Sequence, residues 1–331
     1  MMSNPEKNTF SARMKRAFSS GDTSSLITVS TALVVLLIVF SVASPYFFST
    51  TVFLNIGMYA AIVGTLACSM TFINVSGNID LSGGSVIAVV GMITAVLIRS
   101  GVPVALSVIG GVMTGALCGC LNGFFITVFK LNAFITTIAS MQMLRGVAYL
   151  ISSGQTLVIS NPAFKFIGRG YVGPIPFTLL VLIVLYLVFH FLSKHTVFGR
   201  TIYMIGGNPN ASFLSGIRVQ RIKFLLYVIN GTMAGLAGVM LASQSGAGLP
   251  MAAPNTNMQA LSAVILGGAG LTGGRGTILG TFIGAMVLCT LNTGMTMLSI
   301  SSFWQDVIIG GVLLISVSID AIKGGSLKRK I

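Results

Sequence analysis

Apolar runs of membrane-spanning length alternate with short polar segments along almost the whole chain. The hydrocarbon core of a bilayer is about 30 Å thick and requires roughly 20 mainly apolar residues per helix. Ten runs approach or meet that length, at residues 26–44, 55–76, 82–98, 103–129, 132–152, 175–193, 222–244, 258–272, 276–298 and 303–322. The eighth is short and is interrupted by Gly267, Gly268 and Gly270, which indicates a broken or re-entrant helix. The pattern predicts an all-α, polytopic membrane bundle of about ten transmembrane helices, within a range of nine to eleven.

The polar segments divide the chain into three predicted parts. Residues 1–25 form a cytoplasmic leader, residues 26–322 a single transmembrane domain, and residues 323–331 a basic cytoplasmic tail. Within the domain, residues 153–174 and 245–257 are predicted external loops, and residues 194–221 are the longest predicted internal loop. No stretch remains for a separate soluble domain.

The composition and the charge distribution support a membrane protein and predict its orientation. Only 7% of the residues are charged and 54% are hydrophobic, whereas about 25% of a typical soluble domain is charged. Of the 19 Lys and Arg residues, fifteen fall in predicted cytoplasmic segments and three in predicted external loops. The positive-inside rule therefore predicts that both termini are cytoplasmic. Because topology accounts for the net charge of +14, no nucleic-acid partner is inferred.

Two predicted helices carry glycines at four-residue spacing. These are Gly111, Gly115, Gly119 and Gly123 in one helix and Gly276, Gly280 and Gly284 in the other. Small residues at this spacing form a stripe along which helices approach each other closely in lipid. We expect both stripes to be packing surfaces. The functional alternative is that they slide during transport.

Two charged residues near or within the apolar runs are candidates for function. Asp80 precedes the third run, and with Ser82 and Gly83 it is expected to form a loop-to-helix cap whose carboxylate accepts hydrogen bonds from free backbone N–H groups. Contact with a ligand or an ion is the alternative. Arg145 lies within a run, where a charge costs about 2.5–3.5 kcal/mol at the membrane centre. It either anchors its helix, closes a gate or binds substrate hydroxyl groups.

Groups of residues typical of catalysis, metal binding or nucleotide binding are missing from the sequence. The five acidic residues include no mid-span carboxylate, which weakens proton coupling, and the four cysteines all fall in apolar runs. A Gly-x-x-x-x-Gly-Lys-Ser/Thr phosphate-binding loop is also absent. We therefore expect no metal, no cofactor and no enzymatic activity, and we expect another protein to supply energy.

The long internal loop is predicted to contain a short helix. Gly206 and Gly207 are expected to break the chain, Asn208 to cap the helix, Pro209 to take its first position, and Gly216 to end it. The residues between are Asn210, Ala211, Ser212, Phe213, Leu214 and Ser215. The apolar side chains of this helix are predicted either to dock a partner or to rest on the membrane surface.

Several of these segments together resemble the permease subunits of bacterial ATP-binding-cassette (ABC) importers for monosaccharides, the ribose, xylose, arabinose and galactose class. The similar segments are residues 77–85, 134–137, 144–146, 196–217, 266–268, 273–277 and Gly280. The resemblance implies a fold like that of the vitamin B12 importer, with the helix at 208–216 as the coupling helix that docks into an ATPase. Asn210 and Phe213 depart from the family pattern, which often has an acidic and a basic residue there.

The resemblance also implies function, partners and location. The chain would translocate a small sugar or polyol across the bacterial inner membrane. It would work with a cytoplasmic ATP-binding subunit, a periplasmic sugar-binding protein and a second permease subunit, in a homodimer or a heterodimer. An ion-coupled secondary carrier, a passive channel and a branched-chain amino-acid ABC permease are the alternatives.

Four residues are predicted to line the substrate pathway. Sugar sites combine aromatic walls with a few polar groups. On that ground the candidates are Phe125, Asn132, Phe134 and Arg145.

Overall fold

Every predicted apolar run corresponds to a helix in the computed structural model, which describes residues 21–323. The described helices, in chain order, are α1 (Gly21–Ala43), α2 (Thr50–Val75), α3 (Gly83–Arg99), α4 (Val104–Thr127), α5 (Ala133–Leu150), α6 (Pro162–Arg169), α7 (Phe177–His195), α8 (Val197–Gly207), α9 (Pro209–Leu214), α10 (Val219–Ser245), α11 (Thr256–Leu266), α12 (Ile278–Met297) and α13 (Ser302–Lys323). The first helix includes the end of the predicted leader. The rest of that leader and almost all of the predicted basic tail lie outside the described residues.

Six of these helices, α1, α2, α4, α7, α10 and α12, are long and apolar enough to cross a membrane. The interrupted eighth run forms α11, which has only 11 residues. At 1.5 Å per residue it is about 16 Å long, roughly half the thickness of the hydrocarbon core. It ends at Leu266, directly before Gly267, where the sequence predicted a break. The mostly helical architecture is thus confirmed, and the number of spans stays a prediction.

Helices α2 and α10 occupy the centre of the bundle. Helix α10 packs most extensively against α4 and also against α3 and α2, while α12 packs against α2 and α11. Helix α1 lies at the periphery and exposes more than half of Val34, Ile38 and Val42. Such a surface suits contact with lipid, because the backbone polar groups of a helix are already satisfied.

The glycine stripe of α4 faces α10. A methyl group placed on Gly115 would lie 2.6 Å from the Cα atom of Gly235, and one on Gly119 would meet the backbone of Gly231. The two ends of the stripe are also filled, since Gly111 lies against Thr94 and Gly123 lies against Phe224. The backbones of α4 and α10 approach closely because neither helix carries side chains at these positions.

The second glycine stripe is shorter than predicted. Gly280 and Gly284 lie in α12 and pack against the end of α11, at Gly267 and Ala263. Gly276 does not continue this stripe, because it precedes the helix and has a φ of 140°, a conformation outside the helical region. Its prediction as a member of a helical ladder is therefore wrong.

Two short pairs of strands, which the sequence did not predict, lie in the loops between helices. Strand β1 (Leu157–Val158) pairs antiparallel with β4 (Ala247–Gly248), and β2 (Tyr171–Val172) pairs antiparallel with β3 (Ile175–Pro176). The β1–β4 pair joins the two predicted external loops. These pairs satisfy backbone groups that a loop packed on the bundle would otherwise leave without partners.

Two helices lie in segments predicted as loops. In α6, Asn161 caps the first turn by accepting hydrogen bonds from Ala163 N and Phe164 N, and Pro162 takes the first helical position. In α8, the hydroxyl of Thr196 accepts from Gly199 N. Helix α6 is fastened to α10, because Ser243 Oγ accepts from Gly168 N at 2.6 Å and donates to the Phe164 carbonyl at 2.5 Å.

Candidate functional site

The short helix α9 is a capped projection between α8 and α10. Asn208 Oδ1 accepts a hydrogen bond from Ala211 N at 3.0 Å, and Pro209 is the first helical residue. The helix stops at Leu214, and Gly216, with a φ of 82°, turns the chain. Because both ends are fixed by side-chain or backbone hydrogen bonds, α9 is a defined element rather than a loose tether.

Two large apolar side chains project from α9. Phe213 is 69% exposed and Leu214 is 84% exposed, while Ser212 between the caps is buried. The helix carries no charged residue in the sequence PNASFL. An exposed apolar pair on a rigid element is typical of a contact surface.

The predicted chain break at Gly206 and Gly207 is wrong by one residue. Both glycines belong to α8, and the break occurs at Asn208, whose φ of −159° and ψ of 101° are extended. Gly206 instead serves close packing, since a methyl group on it would collide with the Val75 carbonyl oxygen at the end of α2. A methyl group on Gly207 would meet nothing within 4 Å.

The end of α8 rests on a junction of two loops. The Gly274 N–H donates to the Val75 carbonyl at 2.8 Å, and the Tyr203 hydroxyl donates to the Gly276 carbonyl at 2.8 Å. A methyl group on Gly273 would lie 2.8 Å from Gly77. The segments after α2 and before α12 therefore touch each other, and α8 lies on both.

The Asp80 carboxylate is buried and held by neutral donors. Its Oδ1 accepts from the backbone N–H of Ser82 at 2.9 Å and from the Ser82 hydroxyl at 2.6 Å. Its Oδ2 accepts from Asn230 Nδ2 at 3.0 Å. Asp80 thus organises the turn into α3, and Gly83, the first residue of that helix, packs its backbone against Leu66.

The hydrogen bonds of Asp80 extend into a network across five helices. Ser69 of α2 donates to Asn230 Oδ1 at 2.7 Å. On the other side, Asn122 of α4 donates to Ser82 Oγ at 2.8 Å, and Ser140 of α5 donates to Asn122 Oδ1. Buried polar groups in lipid need such partners. The network therefore ties α2, α3, α4, α5 and α10 together.

Arg145 is anchored to the backbone of another segment. Its Nη1 donates to the carbonyls of Pro250 at 2.9 Å and Ala252 at 2.8 Å, in the segment before α11. The side chain is partly buried. These contacts supply the anchoring role considered for Arg145 and leave its other N–H groups available.

The other predicted pathway residues lie away from Arg145. Asn132 caps α5 by accepting from Phe134 N and Ile135 N, and Phe134 is 51% exposed. Phe125 stacks on Phe129 with 5.8 Å between ring centroids. Asn132 and Arg145 are thirteen residues apart on one helix, or about 20 Å. The structure does not bring Asn132, Phe134 and Phe125 together with Arg145.

Sequence reasoning missed Asn230 and Asn122 as polar residues with a structural role. Each lies within an apolar run, and a polar residue buried in a membrane helix is itself a signal of a partner or a function. That signal identifies the residues, but it does not predict which hydrogen-bond partners they have.

Comparisons with known proteins agree with the resemblance seen in the sequence. A family model described as "Branched-chain amino acid transport system / permease component" matches residues 52–317. The ribose import permease protein of Bacillus subtilis is 39% identical over 290 residues, covering 87% of this chain and 90% of that protein. The L-arabinose ABC transporter permease protein of Azospirillum brasilense is 35% identical over 298 residues, covering 89% and 88%.

A third relative extends the comparison. The xylose transport system permease protein of Haemophilus influenzae is 31% identical over 352 residues, covering 87% of this chain and 94% of that protein. No solved structure matches the chain. The chain therefore belongs to this permease family, as a multi-pass membrane subunit of ABC importers that is not itself an enzyme.

Proposed function

We propose that this chain is the translocation subunit of an ATP-driven importer for a small sugar, of the size of a pentose, or a polyol. The ribose, L-arabinose and xylose permeases that resemble it over most of its length support this substrate class. An importer of this kind also needs an ATPase and a substrate-binding protein. The chain itself binds no metal or cofactor in this proposal.

The observation that carries the proposal is the capped helix α9 with its exposed Phe213 and Leu214. In our proposal this helix is the site where the cytoplasmic ATPase binds the permease. Contacts from α8 to the segments after α2 and before α12 would carry the motion of the ATPase into the membrane. A difference in ATPase binding between the two transport states would then shift the cavity between outward and inward openings.

The proposed assembly follows the family pattern. Each permease subunit has about ten membrane spans in a fold like that of the vitamin B12 importer, with both termini cytoplasmic. Two permease subunits pair in the bacterial inner membrane, and a periplasmic sugar-binding protein delivers the substrate. The Lys and Arg distribution supports the orientation.

A branched-chain amino acid is the second candidate substrate, because the matching family model carries that description. Arg145 would then meet the carboxylate. The relatives named for ribose, arabinose and xylose favour the sugar. Uptake by the complete complex in proteoliposomes, with ATP on the ATPase side, separates the two: we expect labelled pentose to accumulate and leucine to stay at background. Accumulation of leucine alone would exclude the sugar, and accumulation without ATP would exclude an ATP-driven importer.

Leu214→Asp tests the docking surface. A carboxylate at this position would have to be desolvated against an apolar partner surface, so we expect at least a tenfold loss of ATPase recovered on the purified permease. Val197→Asp is the matched control, because Val197 is 70% exposed in the same loop but lies on α8. Equal recovery of the ATPase with both variants would contradict docking at α9.

A further inference from the structure

A cavity of about 150 Å³ opens beside Arg145, where α5 faces the start of α3 and the segment leading into α11. Its lining residues are Ser85, Met141, Gln142, Arg145, Pro254 and Asn257. Four of these six side chains are polar. In a chain with 54% hydrophobic residues, such a grouping is unusual for a membrane helix surface.

The polar groups of this cavity retain unused hydrogen-bonding capacity. Ser85 is 1% exposed, and its hydroxyl finds no hydrogen-bond partner in the described part of the chain. Asn257 Nδ2 donates to the Leu81 carbonyl at 2.9 Å, while its Oδ1 accepts no hydrogen bond within residues 21–323. Gln142 likewise makes no side-chain hydrogen bond to the described residues. In its hydrogen bonds to residues 21–323, Arg145 uses Nη1 alone, which leaves Nε and Nη2 as donors.

A buried serine hydroxyl without a partner carries a desolvation cost, of about 1–3 kcal/mol in mutational data. Burial of such a group at the edge of a polar cavity is explained if a ligand supplies the missing partner. The Ser85 hydroxyl does not cap the N-terminus of α3 either. The backbone N–H groups of Ser85 and Val86 donate to the Ser82 carbonyl instead.

The chemistry of the lining selects a neutral ligand with several hydroxyl groups. Each hydroxyl donates one hydrogen bond and accepts others, and the amide of Gln142 and the hydroxyl of Ser85 offer both roles. Asn257 offers its Oδ1 as an acceptor, because its Nδ2 already donates to the Leu81 carbonyl and to Met141 Sδ. The guanidinium of Arg145 adds donors, and none of the six described lining residues carries a carboxylate that would bind an amine.

We propose that this cavity is the contact site at which the permease checks the hydroxyl groups of the passing solute. The inference rests on the proposed function and adds to it a specific site, with Ser85, Gln142 and Asn257 as selecting residues. The cavity is open, and its volume of about 150 Å³ is small compared with ligand pockets of about 300–1,000 Å³. Weak contact suits a pathway, because the solute must leave as readily as it enters.

The test measures the coupling between one side chain and one sugar hydroxyl. The complete transporter in proteoliposomes takes up, with ATP, the preferred pentose of the ribose, arabinose and xylose set or its 2-deoxy analogue. The ratio of the two initial rates is compared between wild type, Gln142→Ala and Ser85→Ala. Because all three complexes use the same binding protein, selection by that protein cancels in the comparison.

We expect the preference for the complete pentose to fall about 2–10-fold in at least one of the two variants, the range of a single hydrogen bond. Met143→Ala is the matched control, because Met143 is the next residue of α5, is 72% exposed and does not line the cavity. Ser85→Ala also separates function from stability. It removes an unpaired hydroxyl, so we expect its melting temperature to stay unchanged or rise while its sugar preference falls.

Unchanged preference in both variants, with pentose uptake intact, would overturn the site and leave the proposed function standing. Absence of any ATP-dependent pentose uptake by the wild-type complex would instead refute the proposed function.

Discussion

At the scale of single residues, the buried carboxylate of Asp80 is stabilised without a cation. Its hydrogen-bond partners in the described chain are Ser82 and Asn230, which are both neutral. Lys223 donates instead to Asn78 Oδ1, at 3.4 Å. A carboxylate surrounded by neutral donors depends on hydrogen bonds rather than on ion pairing for its stability.

Substitutions of Asp80 test this account. Asp80→Ala leaves the donors of Ser82 and Asn230 without an acceptor, and we expect it to lower the free energy of unfolding by about 2–4 kcal/mol. Asp80→Asn keeps one acceptor, and a flip of the Asn230 amide restores the other contact, because Ser69 can accept as well as donate. We expect Asp80→Asn to melt close to wild type in detergent.

The contrast between the two variants is what a thermal-melting series in detergent should resolve. If Asp80→Asn melts as low as Asp80→Ala, then the charge itself is required and a cationic partner must exist elsewhere in the assembly. Ser316→Ala is the matched control, because the Ser316 hydroxyl donates within its own helix, to the Val312 carbonyl at 2.7 Å.

Sequence reasoning anticipated the position of Asp80 but not its partner. A short polar segment before an apolar run predicts a turn into a helix, and Asp80 supports that turn. Asn230 is 150 residues away in the chain and has no local signal that pairs it with Asp80. The same limit applies to Arg145, whose acceptors are carbonyls more than 100 residues away.

At the scale of elements, α8 and α9 form one unit whose neighbours are set by glycine. A methyl group on Gly206 would collide with the end of α2 and the segment before α12, whereas one on Gly207 would meet nothing within 4 Å. Two adjacent glycines of the same helix thus differ in the space that they leave for a side chain. This difference separates the helix propensity of glycine from its steric role.

Gly206→Ala and Gly207→Ala form a matched pair. A methyl group at Gly206 overlaps backbone atoms that no side-chain rotation can move, so we expect a loss of about 1–3 kcal/mol in stability. The same group at Gly207 meets open space, so we expect a neutral or favourable change of up to about 1 kcal/mol. Melting temperature and ATP-driven uptake measure both effects.

Uptake adds a second criterion to this pair. If α8 carries motion from α9 into the membrane, Gly206→Ala should reduce uptake more than it reduces the amount of folded complex. A Gly207→Ala variant as impaired as Gly206→Ala would show that helix flexibility, and not contact at Gly206, is what matters.

Helix α6 lies in a segment that the sequence predicts as a loop. Asn161-Pro162 before α6 repeats the cap signature of Asn208-Pro209 before α9, and both pairs start helices. The Asn208-Pro209 pair predicts a helix because glycines flank the segment on both sides, whereas the Asn161-Pro162 pair lies among several turn residues. Its stability depends on α10, through Ser243, rather than on its own sequence of eight residues.

At the scale of the whole molecule, the charge distribution predicts an orientation that cysteine labelling can test. Single cysteines at Phe213 and at Val172 are both on exposed positions, at 69% and 51%. With the native cysteines replaced, we expect a membrane-impermeant maleimide to label Val172→Cys in intact spheroplasts. We expect Phe213→Cys to react only after permeabilisation, because the positive-inside rule puts α9 in the cytoplasm. Labelling of Phe213→Cys in intact spheroplasts would show that the predicted orientation is reversed.

The helical membrane architecture and the family were determined by the sequence alone. A lipid environment allows a chain few solutions, because every backbone polar group must be satisfied within the protein, so the lengths of apolar runs translate directly into helices. The cap of α9 is also predictable from the sequence, because the residues that form it lie close together in the chain.

Only the tertiary structure decided which residues meet. The contact of Gly206 with Val75, the pairing of Asp80 with Asn230, and the cavity shared by Ser85, Gln142 and Asn257 all join distant parts of the chain. Phe125, Asn132 and Phe134 are predicted for the pathway by residue type alone, and residue type does not determine whether their side chains lie close to Arg145. Local pattern determines an element and its ends, whereas the face that an element turns to its neighbours depends on packing over the whole bundle.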